Sequence, residues 1–435
     1  MRDRGLIRWD APLYVAGAVV AGIAALVDHI PLQREWARLA LPVYLVAAAL
    51  SIVLAMGARR SPERLVLRLR AGILVLTIVG VALVPLLLEA RWRETEGFRG
   101  HVQSEVLVTE ESASALLRGT NPYAASFAEG PLGAWPKGTA DHIPYLPGMF
   151  LFGLPRALDG TGWQTDARLA FAVAALAVIG LGVGLARARP ESALTAVLVV
   201  VALPTGARYM AGGGDDLAVL ALMLLALVLL ARRQPVPAGL IAGLAAVVKQ
   251  TALPLLPFLV VAATDRDGRR AWGRALTASL AVIAPVVLPF LLWNPRAFVE
   301  DAVLFPLGLA KEPTLAASPT LGSVLSHVLP FPKLAIAAAL GLVVLTVAVY
   351  LLVVRPPVGA RGAAERTALV LFLAVLLATA GRFGYLLYPI GLFAWARLVL
   401  ESETRLDLAD RRGGPPGAKM PVSREGARAA KGSGL

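Results

Sequence analysis

The runs LYVAGAVVAGIAALV (residues 13–27), LALPVYLVAAALSIVLAM (39–56) and GILVLTIVGVALVPLLL (72–88) contain no charged side chain. In a lipid core every backbone N–H and C=O must be satisfied from within, which leaves only helices and closed barrels. Barrel strands alternate in polarity over about ten residues. These runs do not alternate, and they approach or reach the roughly 17–25 residues that a spanning helix needs. The expected fold is all-α, a polytopic transmembrane helical bundle in the lipid bilayer. Only 16% of residues are charged, well below the roughly 25% of a soluble globule.

Spans are expected near 12–29, 39–57, 71–89, 168–186, 191–209, 215–231, 275–293, 332–354, 366–381 and 383–400, about ten crossings. Basic residues orient them. Arg2, Arg4 and Arg8 at the N-terminus, and Arg59, Arg60, Arg64, Arg68 and Arg70 in the segment 58–70, belong on the cytoplasmic side. Residues 90–145 then lie outside, and both termini lie inside. The net charge of +13 is thereby accounted for as orientation chemistry, and no nucleic-acid partner is expected. The absence of cysteine removes disulfides, thiolate metal sites and a catalytic thiol. The first apolar run is long and DHIPLQ after it has no small-residue cleavage pattern, so no cleavable signal peptide is expected.

The same charge rule settles two ambiguous stretches. A full crossing by YLPGMFLFGLPRAL (145–158) would carry Arg187 and Arg189 outside, so this piece reads as interfacial or re-entrant. A single crossing by AGLIAGLAAVVKQTALPLLPFLVVAA (238–263) would do the same to Arg266, Arg269, Arg270 and Arg274. A hairpin of two half-helices, turning at Lys249-Gln250-Thr251, avoids this, with one kinked span as the alternative. Non-helical backbone at that depth survives only inside protein or beside a water-filled cavity. Two external loops, 90–145 and 294–333, exceed the roughly 12–15 residues of ordinary connections and read as folded and functional. The chain is thus expected to divide into an N-terminal helical hairpin extension (1–70), a main transmembrane unit with the two large external loops (71–400) and a flexible basic cytoplasmic tail (401–435).

Within the first loop, HVQSEVLVTEESASALLRGTNPY (101–123) has the mixed polarity of a surface helix. A helix from Glu105 to Arg118 places Glu105, Thr109 and Ser112 on one stripe. Gly119 ends it and Asn121-Pro122 starts a turn. A carboxylate held above a lipid-facing cavity can deprotonate a hydroxyl. The plainer reading makes Ser104 an N-cap and Glu105 a first-turn acid favoured by the helix dipole. Glu110 and Glu111 read as a solvated face, and Asp215 and Asp216 as helix caps before substrate or metal ligands. Lys249 lies in an apolar segment where charge costs at least about 2.5–3.5 kcal/mol, which makes it a functional candidate by default. Arg208 and Arg382, at the outer ends of their helices, either snorkel to headgroups or join Lys249 around a lipid phosphate. Asp141-His142 could orient an acceptor or mark the water interface, and His327 reads as a loop surface residue.

With E…ALLRGTNPY…YLPG, then GGGDD opening an aliphatic helix, then AGLIAGLAAVVKQTALPLLP, the chain resembles the polyprenyl-phosphate-mannose-dependent transferases of glycosyltransferase family eighty-seven, in the GT-C superfamily. The resemblance covers roughly residues 71 to 400. It places Glu105 on the family's catalytic acid, about fourteen positions before the turn glycine, Gly119 to Tyr123 on the turn, and Lys249 on the kink lysine. The chain differs in having Glu where Asp is usual, Gln250 where Pro is common, and two helices ahead of the loop. The function implied is transfer of a mannose or arabinose-type sugar, with inversion, from a polyprenyl-phosphate sugar donor. The acceptor is a glycolipid or polysaccharide, and the site is the outer face of a bacterial plasma membrane. Glu105 would be the general base, with Lys249, Arg208 and Arg382 on the donor phosphate. Asn121, Tyr123, Asp141, His142, Tyr145, Asp215 and Asp216 would contact substrate. No nucleotide or organic cofactor is needed. A divalent cation stays an option, without an assigned ligand set. A transporter or flippase of anionic or lipid-linked sugars is the rival, with Lys249 at a midplane site; it calls for related halves and further buried charge, and neither is plain in the sequence. A non-catalytic membrane assembly protein, its polar residues acting as helix glue, is a second.

Overall fold

The computed structural model describes residues 6–97, 100–160, 162–265, 267 and 269–401. The orienting residues Arg2, Arg4 and Arg266 and the expected tail beyond 401 lie outside the described residues. Within them the chain is helical, and its extended pairings are two isolated bridges, Thr264 to Arg270 and Ala317 to Gly381.

Seven described helices are long and apolar enough to cross a membrane: Ile7–Val27, Pro31–Gly57, Glu63–Thr95, Ala167–Leu185, Trp272–Trp293, Lys333–Val353 and Phe383–Leu400. The span expected at 191–209 is a pair, Pro190–Ala202 and Pro204–Gly212, bent by 47°. Leu203 between them is extended; proline at the next position disfavours the helical conformation there. Asp216–Ala231 is shorter and buried almost throughout, as befits a helix apolar on every side. The span expected at 366–381 is the helix Gly359–Leu377. Residues 145–158 do not cross. They form a 3-10 turn at Pro147–Gly153 and a short helix at Leu154–Asp159.

The first two helices pack into the bundle. The Tyr44 hydroxyl donates to the Ala202 carbonyl at 2.6 Å, and the Trp36 indole to the Val81 carbonyl at 2.7 Å. Arg70 is not the loop charge the sequence suggested. The third helix starts at Glu63, which puts Arg70 inside it, buried, with hydrogen bonds to Asp10 at 2.6 and 2.8 Å and to Thr195 at 3.0 Å.

The direction of the chain around Lys249 follows from packing. Gly239 and Gly243 of Pro235–Val248 lie against the carbonyls of Ala275 and Ser279 in Trp272–Trp293, and the Ser279 hydroxyl donates to Gly239 O at 3.0 Å. Both contacts advance together, so the two helices run in parallel. Residues 249–271 must therefore return to the level where the first began. Leu255–Ala262 makes that return, and the bridge between Thr264 and Arg270 closes it. This is the hairpin geometry, with its turn at Lys249, whose backbone is extended.

Candidate active site

Glu105 sits in the helix Ser104–Leu117, and this helix does not lie on a membrane surface. Most of its 14 residues are buried, because glycines let other backbone approach. A Cβ on Gly153 would stand 2.3 Å from the Thr109 carbonyl oxygen. One on Gly213, at φ +105°, would stand 2.2 Å from Val106. The N-cap is Gln103, with no side-chain cap, and the Ser104 hydroxyl donates to the Glu105 carboxylate at 3.2 Å. The expected Ser104 cap is thus absent, its hydroxyl spent on Glu105.

Glu110 is buried as well, against the expectation of a solvated face. Arg93 holds both its oxygens, at 2.9 and 2.5 Å, and the Ala167 N–H donates to it at 3.0 Å. Arg93 also reaches Asp166 at 2.7 Å, and Asp166 accepts from Arg168 at 2.8 Å. Burial raises the Asp166 carboxyl, but Arg168 and Arg93 outweigh it and hold it well below the usual range. Glu111 is half-buried. This network clamps the Glu105 helix to the helix Ala167–Leu185.

Arg382 pairs with the buried Glu105 carboxylate. Its position is set by the second long loop: the Gly381 carbonyl accepts from Ser318 N at 2.9 Å, and Gly381 N donates to Ala316 O at 3.0 Å. Burial pushes the Glu105 carboxyl up, but the Arg382 guanidinium, with Lys249 behind it, reverses the effect and holds it below its ordinary value of 4.5.

Two cavities meet at this pair. One, of about 200 Å³, runs past Tyr145, Lys249, Tyr385 and Tyr388 and is walled by apolar side chains of Gly359–Leu377. The other, of about 670 Å³, is bounded by Gln33, Trp135, Arg208, Tyr209 and Ser318. Ser104, Glu105 and Arg382 line both.

Lys249 is fully engaged in charge pairing. Its ammonium lies 2.7 Å from both Asp215 and Asp216 and 5.3 Å from the ring centres of Tyr145 and Tyr385. Tyr388 donates to Asp216 at 2.7 Å and accepts from Thr251 at 2.8 Å. The two aspartates make no capping hydrogen bond to their helix, which corrects the capping reading. A buried lysine draws carboxylates because an unpaired charge there is costly.

His142 lines the smaller cavity, stacked on Phe305 at 4.6 Å. Its Nδ1 is 2.6 Å from Asp301, which also accepts from Ile143 N at 3.0 Å. Burial, only partly offset by the His142 contact, pushes the Asp301 carboxyl up to about 6.

The structure therefore brings Glu105, Lys249, Arg382, His142 and Tyr145 to one cavity. Arg208 lines the other cavity and pairs with Asp28 at 2.5 Å. Asn121 and Tyr123 line neither cavity: the Asn121 side chain accepts from Tyr123 N at 3.1 Å, and Tyr123 donates to Tyr145 O at 2.9 Å amid Phe150, Phe290 and Phe298. They shape the loop from inside its core. Asp141 accepts from Ser126 at 2.6 Å and also lines neither cavity. His327 is exposed, as expected. Sequence reasoning missed Asp301, Tyr385 and Tyr388. Only the acid pair Glu300-Asp301 inside a long folded loop offered a signal.

No match was found among curated proteins. The crystal structure of ArnT from Cupriavidus metallidurans bound to undecaprenyl phosphate is similar at 17% identity and a TM-score of 0.46. The similarity covers 78% of this chain and 64% of ArnT, so the chain spans less than two thirds of that protein's length. The model of glycosyltransferase family 87 matches residues 144–380, a stretch that contains Tyr145, Arg208, Asp215, Asp216 and Lys249 and stops short of Glu105 and Arg382 at either end. More than half of the chain answers to that one description: it belongs to glycosyltransferase family 87.

Proposed function

We propose that the chain transfers a sugar, of the mannose or arabinose type, from a polyprenyl-phosphate donor to a glycolipid or polysaccharide on the outer face of a bacterial plasma membrane. The observation that carries this reading is the buried Glu105–Arg382 pair at the junction of two cavities. The apolar cavity beside Lys249 suits a lipid-linked donor, and the wider one suits an acceptor. Glu105 accepts the proton of the acceptor hydroxyl, whose oxygen attacks the anomeric carbon in line, and polyprenyl phosphate leaves with inversion. Arg382 uses one N–H on Glu105, and a guanidinium has five, so the others can take the leaving phosphate as its charge develops. Lys249 has a third N–H beyond its two aspartates and can offer it as a donor from the cavity wall. His142, held by Asp301, and Tyr145 orient the sugar.

The test uses membranes, a radiolabelled polyprenyl-phosphate sugar and the variant Glu105→Gln, which keeps size and loses the base. At normal abundance and near-normal donor binding, transfer should fall by at least about 10²-fold. An unchanged rate would remove Glu105 from the mechanism. Label that crosses the bilayer untransferred would favour a flippase.

A further inference from the structure

Outside the cavities, three side chains from separate parts of the chain converge on one point. Glu35 comes from the first turns of Pro31–Gly57, Glu89 from the last turns of Glu63–Thr95, and His101 from the segment leading into the Glu105 helix. One ligand-type atom from each lies within 4.8 Å of the others. His101 Nδ1 is 3.1 Å from Glu89 Oε2 and 3.4 Å from Glu35 Oε2. Nitrogen and oxygen ligands about 2.1 Å from one metal ion, at tetrahedral or octahedral angles, stand roughly 3.0–3.4 Å apart.

A second observation points to a ligand. The Glu89 side chain is 0% exposed, yet its Oε1 accepts no hydrogen bond, and Glu35 Oε2 is buried and equally without one. Buried carboxylate oxygens ordinarily find a donor, since an unmet one has given up its hydration with nothing in return. Here two carboxylates from different helices converge on one histidine, Glu35 through its unmet Oε2 and Glu89 through Oε2, while Glu89 Oε1 keeps no partner. Arg168, a buried cation beside this cluster, is committed to Asp166 and to the His101 carbonyl.

We propose that Glu35, Glu89 and His101 bind one divalent cation. One imidazole with two carboxylates suits ions that accept both ligand types, Zn²⁺ or Mn²⁺, over Mg²⁺, which favours an all-oxygen shell and its own waters. The bound ion joins the second and third helices to the strand of chain four residues ahead of Glu105. It is a positioning site, remote from the reacting atoms, and it does not depend on the reading of Glu105 as a base.

Full-length protein in detergent, stripped with a chelator, is titrated with Zn²⁺, Mn²⁺ and Mg²⁺ separately, with bound metal counted by elemental analysis and thermal unfolding followed in parallel. Zn²⁺ or Mn²⁺ should bind at one ion per chain and raise the unfolding midpoint, and Mg²⁺ at equal concentration should not. Glu89→Gln and His101→Gln should weaken binding at least tenfold. Glu35→Gln, at a position one-third exposed, keeps the test open if the buried variants fail to fold, and should also weaken binding. No stoichiometric binding by the parent overturns the proposal. So does affinity unchanged in all three variants. A metal-free rise in the midpoint of Glu89→Gln, with no bound ion in the parent, would mean that the two carboxylates share a proton instead.

Discussion

Glu105 is a carboxylate that burial would neutralise and Arg382 keeps ionised. Because its folded pKa lies below 4.5, the stability it contributes is fully present above that value and is lost only as pH falls through the lower, folded one. Transfer should therefore show no acid limb from this group between pH 7 and 4.5. Removing the guanidinium in Arg382→Gln leaves burial in command, so the carboxyl titrates higher and an acid limb should enter that window, along with a lower rate. A pH–rate profile of both proteins checks this; an identical limb in each would show that Arg382 does not set the charge of Glu105. Lys249 poses a different question. Lys249→Met strands two buried aspartates, and loss of one partner of a buried pair costs about 3–5 kcal/mol. Thermal unfolding should drop accordingly and recover in Lys249→Met with Asp215→Asn and Asp216→Asn. If the repaired triple variant also regains full transfer, the lysine is structural alone. Lys249 can be singled out from sequence because an ionisable group amid apolar residues stands out, and Glu105 through the resemblance that places it about fourteen positions before Gly119. Their partners could not, since Arg382 is 277 residues from Glu105 and Asp301 is 159 from His142, and no periodicity links such distances.

At the level of elements, hydropathy points to the spanning helices and the prolines to the interruption around 145–158, whereas 191–209 reads as one span and the bend at Leu203-Pro204 is not foreseen. The Glu105 helix was misplaced, because mixed polarity reads as a surface stripe when it is in fact a helix buried on several sides. Glu110 looks solvated until Arg93 and the start of Ala167–Leu185 close over it. What permits that burial is small: Gly153 lets its segment touch the backbone at Thr109. Gly153→Ala should overpack this contact, costing about 1–3 kcal/mol, and push the Glu105 helix away from Arg382. A lowered unfolding midpoint together with a transfer defect larger than that of Gly180→Ala, where a Cβ meets nothing within 4 Å, is the expected outcome. Equal behaviour of the two variants would mean that the helix is held elsewhere.

For the whole molecule, the parallel course of Pro235–Val248 and Trp272–Trp293 makes a prediction about sidedness. The chain has no cysteine, so single cysteines report cleanly. Substituted at the exposed positions Glu129 and Lys311, they should react with an impermeant thiol reagent added to intact cells. At Arg60 and Asp267 they should react only after permeabilisation. External labelling at Asp267 would refute the hairpin. The positive-inside pattern is what leads the sequence to expect this orientation, while the packing of the second helix against Ala202 and Val81 is not legible there, because Tyr44 and Trp36 carry no mark of their partners.

The meeting of two cavities at one ion pair has a consequence for how turnover is ordered in time. Neither compartment need empty before the other fills, and one is walled by apolar helix faces while the other is bounded by a mixed set that includes Gln33, Trp135, Arg208 and Ser318. A lipid-linked donor and its acceptor could then be held at once, with no sugar parked on the protein between them. Initial velocities measured against both concentrations should give double-reciprocal lines that intersect, and parallel lines would mean a covalent glycosyl-protein relay.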